Sequence, residues 1–91
     1  MQKSCRVNPH FGVMQVQQIY TLCQIARSHV DVALVLQKDE RSVSCMQLIG
    51  LLTLLIHGDD IIVISATGKH ADLAIASIEK FLSSEPVKVP S

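Results

Sequence analysis

A mostly apolar stretch in the middle of the chain, Leu48–Ile64, constrains the fold more than any other feature. Its first part, Leu48–Ile56, is rich in unbranched leucine, which suits a short helix. Its last part, Ile61–Ile64, is β-branched throughout, which suits a strand. The polar residues from His57 to Asp60 mark a turn between the two. Both parts are far shorter than the ~20 apolar residues that cross a bilayer, so the stretch predicts the core of a soluble domain.

Length and charge restrict the class of protein. The chain has 91 residues, with eight basic and eight acidic side chains, a size that predicts one domain. A neutral balance argues against a nucleic-acid or anionic-membrane surface, which needs clustered basic residues. With two Phe, one Tyr and no Trp, the chain offers few platforms on which bases could stack. We therefore expect neither a nucleic-acid partner nor membrane insertion.

The cysteine pattern indicates buried thiols rather than a metal site or a disulfide framework. Cys5, Cys23 and Cys45 are odd in number and widely spaced, and no C-x-x-C pair is present. No apolar segment follows Met1 as a secretory signal would. We expect a cytoplasmic protein with reduced cysteines, no cofactor and no metal site, since the four histidines are also dispersed along the chain.

The hydrophobic pattern predicts seven elements in the order β-α-β-β-α-β-α. Two β-α-β units separated by a hairpin predict an α+β fold, a four-stranded antiparallel sheet with three helices on one face. We expect residues 1–85 to form the domain and the proline-containing residues 86–91 to form a disordered tail. The predicted strands are Lys3–Asn8, Val30–Gln37, Ser42–Cys45 and Asp60–Ala66; the predicted helices are Val16–Ser28, Gln47–Leu55 and Ala71–Leu82; a loop is predicted at Thr67–Lys69.

This order and several local motifs resemble the HPr family, the histidine phosphocarriers of the bacterial sugar phosphotransferase system. Ile49–Leu54 (IGLLTL) and Gly58–Gly68 (GDDIIVISATG) resemble the family pattern I-M-G-L-L-S-L followed by G-D-x-I-x-I-x-A-x-G. Leu36–Asp39 (LQKD) resembles its L-E-K-D, and Ala71–Leu82 is similar to its last helix. The resemblance covers about residues 4–84 and implies the open-faced β-sandwich of that family.

The family's phosphoacceptor motif is altered in this sequence. The first helix of the family opens with G-L/I-H-A-R-P-A, in which the His carries the phosphoryl group. Aligning the helix core places Gln15 at the His position, Gln17 at the Arg position and Gln18 at the Pro position; a register shifted by one residue places Met14 at the His position instead. The family's regulatory Ser position is Gln47. Because an amide is not a nucleophile and Gln17 carries no charge, the resemblance implies that phosphoryl transfer is lost.

The resemblance also implies a protein-docking surface formed by the first and second helices. We expect Leu51, Leu54 and Leu55 to face the sheet, and the remaining large side chains of the second helix to face outward as apolar anchors. The leading hypothesis is a non-enzymatic regulator, a monomer or weak homodimer, that binds phosphotransferase-system components or a transcriptional regulator. The matching docking positions are Gln15, Gln17, Tyr20, Thr21 and Gln24 with Gln47, Leu48, Ile49 and Leu52.

Two other functions stay open at the level of sequence. His10, five residues before Gln15, is an alternative phosphoacceptor, which would make the protein a working phosphocarrier. The N-terminus of the first helix is an alternative site for a small anion or a sugar phosphate, which would make the protein a sensor. The adjacent carboxylates Asp59 and Asp60 are interpreted as a turn rather than an acid–base pair.

Overall fold

The computed structural model describes residues 1–86 and has the predicted order of elements. The predicted tail, residues 86–91, therefore lies outside the described residues except for Pro86. A short 3-10 turn at Pro9–Phe11 precedes the first helix. The elements are β1 (Gln2–Arg6), α1 (Val16–Arg27), β2 (Val32–Lys38), β3 (Arg41–Ser44), α2 (Leu48–Thr53), β4 (Ile61–Gly68) and α3 (Ala71–Ser83).

The four strands form one antiparallel sheet in the order β1-β4-β2-β3. Side chains alternate between the two faces of a strand, and here the side chains on one face of the sheet are buried. Leu36 of β2 and Ile64 of β4 are register partners at the centre of the sheet, and both are fully buried. The neighbouring positions, such as Val35 and Ser65, are only half-buried. The predicted α+β architecture, with helices on one face of the sheet, is confirmed.

The helices cover the sheet with apolar stripes of helical period. α3 packs on β1 and β4, α2 packs on β3, and α1 contacts both other helices. Residues at i, i+3, i+4 and i+7 share one face of a helix, and these positions are buried in α1 as the sequence predicts. The buried positions of the two longer helices are Ile19, Leu22, Cys23 and Ala26 in α1, and Ala74, Ile75, Ile78 and Leu82 in α3.

The predicted loop at Thr67–Lys69 is wrong for its first two residues, which belong to β4. Gly68 pairs with Val32 at the start of β2, so the ladder runs two residues further than the apolar run suggests. The φ angle of Gly68 is 132°, and a Cβ atom there would overlap the carbonyl oxygen of Asp31. Glycine is therefore needed where the backbone of β4 passes this close to the segment before β2.

The end of α2 also differs from the prediction. α2 stops at Thr53, and Leu55 adopts the left-handed conformation, with φ 54°. A left-handed residue after a helix reverses the chain direction, so Ile56 becomes 2% exposed while Leu55 is 60% exposed. The prediction that Leu55 faces the sheet is wrong for this reason, whereas Leu51 and Leu54 are buried as predicted.

Candidate functional site

The N-terminus of α1 carries the residues that the sequence analysis singled out. Gln15 is the N-cap, with extended backbone angles, and its side chain is exposed. Its N–H group donates a hydrogen bond to Oε1 of Gln18, 2.8 Å away, and this bond caps one of the free donors at the helix start. Met14, the alternative residue at the family's His position, is buried, with 7% exposure. The solvent-facing group at this helix terminus is therefore the amide of Gln15.

Two hydrogen bonds, one between backbone groups and one from an arginine side chain, hold α1 and α2 side by side in antiparallel directions. The N–H group of Met14, just before α1, donates to the carbonyl oxygen of Ile56, just after α2, at 2.9 Å. At the opposite end, Nη2 of Arg27 lies 3.4 Å from the carbonyl oxygen of Met46, just before α2. The start of α1 therefore lies beside the end of α2, which brings residues 13–16 and 55–57 together.

Five large apolar side chains are exposed around this helix pair, and we call them the α1–α2 surface. Each is more than half exposed. Residues four positions apart lie on the same flank of a helix, so Val16 and Tyr20 belong to one flank of α1. Val13 forms a bridge with His57 and so lies close to the end of α2. The members of the α1–α2 surface are Val13, Val16, Tyr20, Ile49 and Leu55.

Three of these residues were missed by the sequence reasoning. Val13 precedes α1, and Val16 lies three and seven residues before the buried Ile19 and Cys23, so helical period gives no signal of exposure at either position. Leu55 gave no such signal either, because its exposure depends on the left-handed turn that ends α2. An apolar residue that a backbone reversal brings to the surface cannot be found from helical period alone.

Four of the five predicted docking positions of α1 share one face of the helix, because Gln17, Tyr20, Thr21 and Gln24 follow the i, i+3, i+4, i+7 spacing. Gln24 donates through Nε2 to the hydroxyl oxygen of Tyr20 at 2.6 Å, so these two side chains lie together. Gln17 and Thr21, by contrast, line a cleft between α1 and α3, and the hydroxyl of Thr21 donates to the Gln17 carbonyl at 3.0 Å. Within this face, Gln17 and Thr21 therefore border the cleft, whereas Tyr20 and Gln24 do not.

The predicted docking positions of α2 also differ from one another. Gln47 is the N-cap of α2, is exposed, and makes no side-chain hydrogen bond to the helix start. Ile49 is 76% exposed, as expected of an outward anchor. Leu48 and Leu52 are half-buried and pack against the core. The expectation of outward anchors therefore fits Ile49 and only partly fits Leu48 and Leu52.

His10 lies in the 3-10 turn and is exposed. Its Nδ1 is 3.1 Å from Oε1 of Glu85, just beyond α3. Two of the other three histidines contact different groups: His29 Nε2 lies 3.1 Å from the Ser77 hydroxyl, and His57 Nδ1 lies 3.7 Å from Asp60. Within residues 1–86, no three His, Cys, Asp or Glu side chains come together as a metal site would require.

Asp60 stabilises the turn before β4. Its Oδ2 accepts a hydrogen bond from the His57 N–H at 2.7 Å and lies 2.9 Å from Nζ of Lys38. Burial acts to raise the pKa of Asp60, but these two hydrogen bonds and the charge of Lys38 outweigh it and hold the pKa below its ordinary value. Asp59 is exposed and pairs with Arg6 at 2.7 Å. The two carboxylates therefore have separate structural partners.

The three cysteines are free and buried. Burial raises the pKa of the Cys5 thiol, and it raises the pKa of Cys45 to about 12, with a further contribution from nearby Cys23. Since the thiolate is the nucleophile, these thiols are poor reactive sites. Within residues 1–86, no helix has both the length and the apolar character needed to cross a membrane.

The fold is that of the HPr-like class of proteins. The structure is similar to phosphocarrier protein HPr from Bacillus anthracis (TM-score 0.84, 20% identity, covering 91% of this chain and 96% of that one). It is also similar to HPr-C-His from Thermoanaerobacter tengcongensis, with a TM-score of 0.81 and 15% identity, covering 90% of this chain and 90% of that one. A third similar structure is the mycoplasma histidine-containing phosphocarrier, with a TM-score of 0.77 and 18% identity, covering 89% of this chain and 90% of that one. At these identities the similarity establishes the fold alone.

Sequence comparison establishes the family. The family model described as the PTS HPr component phosphorylation site matches residues 13–84. The chain therefore belongs to the PTS HPr family. A comparison with curated proteins gives no match.

Proposed function

We propose that this chain is an HPr-family protein that binds other proteins and does not carry a phosphoryl group. The observation that carries the proposal is the identity of the exposed side chain at the α1 N-cap, the amide of Gln15. A phosphohistidine carrier needs an imidazole nitrogen as the nucleophile at that place. An amide nitrogen has no available lone pair of comparable reactivity, so the family's chemistry has no acceptor there.

The burial of neighbouring residues supports the alignment that places Gln15 at the acceptor position. A phosphoacceptor must be reached by the active site of another protein. Met14 is buried and Gln15 is exposed, so Gln15 is the residue that such an enzyme would meet. Gln17, two residues further on, offers an amide in place of the guanidinium that would stabilise a phosphoryl group.

The surroundings of His10 argue against a relocated phosphohistidine. Its Nδ1 faces the Glu85 carboxylate at 3.1 Å. A phosphoryl group on His10 would bring two or more negative oxygens beside a carboxylate, which is unfavourable. The side chain of Asn8, whose oxygen accepts a hydrogen bond from the His10 N–H, is neutral and offers no positive charge to compensate.

The start of α2 supports loss of the second phosphorylation site. Gln47 occupies the N-cap and has no hydroxyl group. The nearest serine before it, Ser44, is half-buried in β3, and its Oγ accepts a hydrogen bond from the Met46 N–H at 3.3 Å. A kinase that reaches the α2 N-terminus would therefore find no hydroxyl to modify.

The α1–α2 surface supports a protein-binding role. Large exposed apolar side chains are a common feature of protein interfaces, and Tyr is enriched at energetically dominant positions. Tyr20 also carries a polar group, the hydroxyl, whose oxygen accepts a hydrogen bond from the amide of Gln24. We infer that the surface docks on phosphotransferase-system proteins or on a transcriptional regulator in the cytoplasm.

Phosphorylation with enzyme I and labelled phosphoenolpyruvate tests the first half of the proposal. The wild-type chain is expected to take up no acid-labile label, whereas an authentic HPr in the same assay becomes labelled. The variant Gln15→His with Gln17→Arg serves as a matched chain in which the acceptor and the cation are restored. Stoichiometric label on wild type would contradict the proposal, and its loss in His10→Ala would assign it to His10.

Binding measurements test the second half. Purified phosphotransferase-system proteins and their regulators are titrated with wild type and with Tyr20→Ala and Ile49→Ala. Each substitution is expected to weaken a specific complex about tenfold or more, as truncation of a central interface residue does. Leu73→Ala is the matched control, because Leu73 is also exposed but lies on α3, outside the α1–α2 surface. Equal affinities of the wild type and the three variants for a partner would contradict a role for the α1–α2 surface.

A further inference from the structure

A cleft between α1 and α3 is not explained by protein docking at α1 and α2. Its volume is about 440 Å³, within the range of small-molecule sites, roughly 300–1,000 Å³. Gln17, Thr21 and Ile25, spaced by four residues, form its α1 wall. Tyr20 and Gln24 do not line the cleft although they share a helix face with Gln17 and Thr21, so the cleft borders the α1–α2 surface without including its residues.

The base of this α1–α3 cleft is apolar and partly aromatic. Phe11 from the 3-10 turn and Phe81 from α3 lie with their ring centroids 5.8 Å apart and their planes tilted by 49°. Ile25 and Phe81 are half-buried against the core and remain accessible from the cleft. A flat or branched apolar group placed here would bury surface on both partners and would gain from contact with the ring faces.

The rim of the cleft carries one unpaired positive charge. Lys80 lines the cleft, and among residues 1–86 no carboxylate lies within ion-pair distance of its ammonium group. The one carboxylate at the rim, Glu85, is paired with His10. The ammonium of Lys80 is therefore available to a ligand, while the carboxylate of Glu85 contacts the His10 ring.

Amide groups add neutral hydrogen-bond donors to the same rim. Gln18 uses Oε1 to accept from the Gln15 N–H, which leaves its amide nitrogen to act as a donor. The side chain of Gln17 makes no hydrogen bond within residues 1–86 and also reaches the cleft. Together with Lys80, these groups offer N–H donors beside an apolar base.

We propose that the α1–α3 cleft binds a small amphipathic monocarboxylate. Its apolar body, aromatic or branched, contacts Phe11, Ile25 and Phe81. Its carboxylate pairs with Lys80 and accepts hydrogen bonds from the glutamine amides. A sugar phosphate fits less well, because its hydroxyl groups would meet the apolar base unpartnered and its two negative charges would face one cation and Glu85.

An NMR titration of the full chain tests this proposal, with 3-phenylpropionate as the probe. Amide resonances of α1 and α3 around the cleft are expected to shift with saturation in about the millimolar range. The neutral analogue 3-phenylpropanamide and the variant Lys80→Ala are each expected to bind about fivefold more weakly, since they lack one charge of the pair. Lys69→Ala is the matched control, because Lys69 does not line this cleft.

Three results would overturn the proposal. The first is equal affinity of acid and amide, or of wild type and Lys80→Ala, which would show apolar binding without carboxylate recognition. The second is a stronger response to inorganic phosphate than to 3-phenylpropionate. The third is the absence of amide shifts at a probe concentration about ten times the expected dissociation constant. This third result includes the case in which NMR contacts between residues 87–91 and Phe81 show that the chain itself fills the cleft.

Discussion

The ammonium group of Lys38 donates a hydrogen bond to the carbonyl oxygen of Leu55 at 2.7 Å. The same ammonium lies 2.9 Å from Asp60, so one side chain from β2 contacts both the end of α2 and the turn before β4. Leu55 sits at this junction in the left-handed conformation with its side chain in solvent. Leucine occupies this position although glycine or asparagine would suit the left-handed backbone better.

Leu55→Asn is expected to raise the free energy of unfolding by about 0.5–1 kcal/mol, because asparagine tolerates the left-handed conformation and little buried surface is lost. The same substitution is expected to weaken partner binding, since it removes an apolar member of the α1–α2 surface. Urea unfolding and titration with a partner measure the two effects. A destabilised variant would mean that Leu55 contributes packing that its exposure does not indicate.

Asp60→Asn is expected to lower stability at pH 7 by about 1 kcal/mol, a modest value because the pair with Lys38 is partly solvated. The pKa of Asp60 is depressed in the folded protein, so its contribution is present above the ordinary Asp pKa of about 3.9 and is lost as pH falls through the lower folded-state value. The free energies of unfolding of the wild type and the variant should therefore converge below about pH 4. Denaturant unfolding across this range checks the expectation, with Asp59→Asn as the exposed control; a constant difference would contradict it.

Cys45 is expected to resist alkylation in the native protein at neutral pH, because its pKa is raised to about 12 and its side chain is inaccessible. Iodoacetamide labelling followed by mass spectrometry measures this, with labelling appearing only when the protein unfolds. Introducing an exposed thiol by Ser83→Cys provides a rapidly labelled control in the same molecule. Comparable labelling rates at both positions in the native state would show that the region around Cys45 opens locally.

Leu22→Ala is expected to lower the free energy of unfolding by about 2–5 kcal/mol, because Leu22 is fully buried on the inner face of α1 and the change leaves a cavity. The identical change at an exposed position of α3, Leu73→Ala, is expected to alter stability by about 0.5 kcal/mol or less. Chemical denaturation of both variants tests the assignment of the core. Similar losses at the two positions would contradict it.

The sequence was sufficient to predict the order of elements and most of the core. The 3.6-residue period of α1 and α3 selects Leu22 and Ile78 as buried positions, because a helix presents one face to its neighbour. The β-branched run before Ala66 identifies β4. The residues of the altered phosphoacceptor motif were also visible, since the identity of Gln15 does not depend on folding.

The tertiary structure alone decided how the surfaces are divided. The continuation of β4 to Gly68 depends on pairing with Val32, which lies far away in the chain. The exposure of Leu55 depends on a backbone reversal held by Lys38. The fact that Gln17 and Thr21 line a cleft and Tyr20 does not depends on which side of α1 meets α3. These features arise from contacts between distant segments, and no local pattern of residues encodes such contacts by itself.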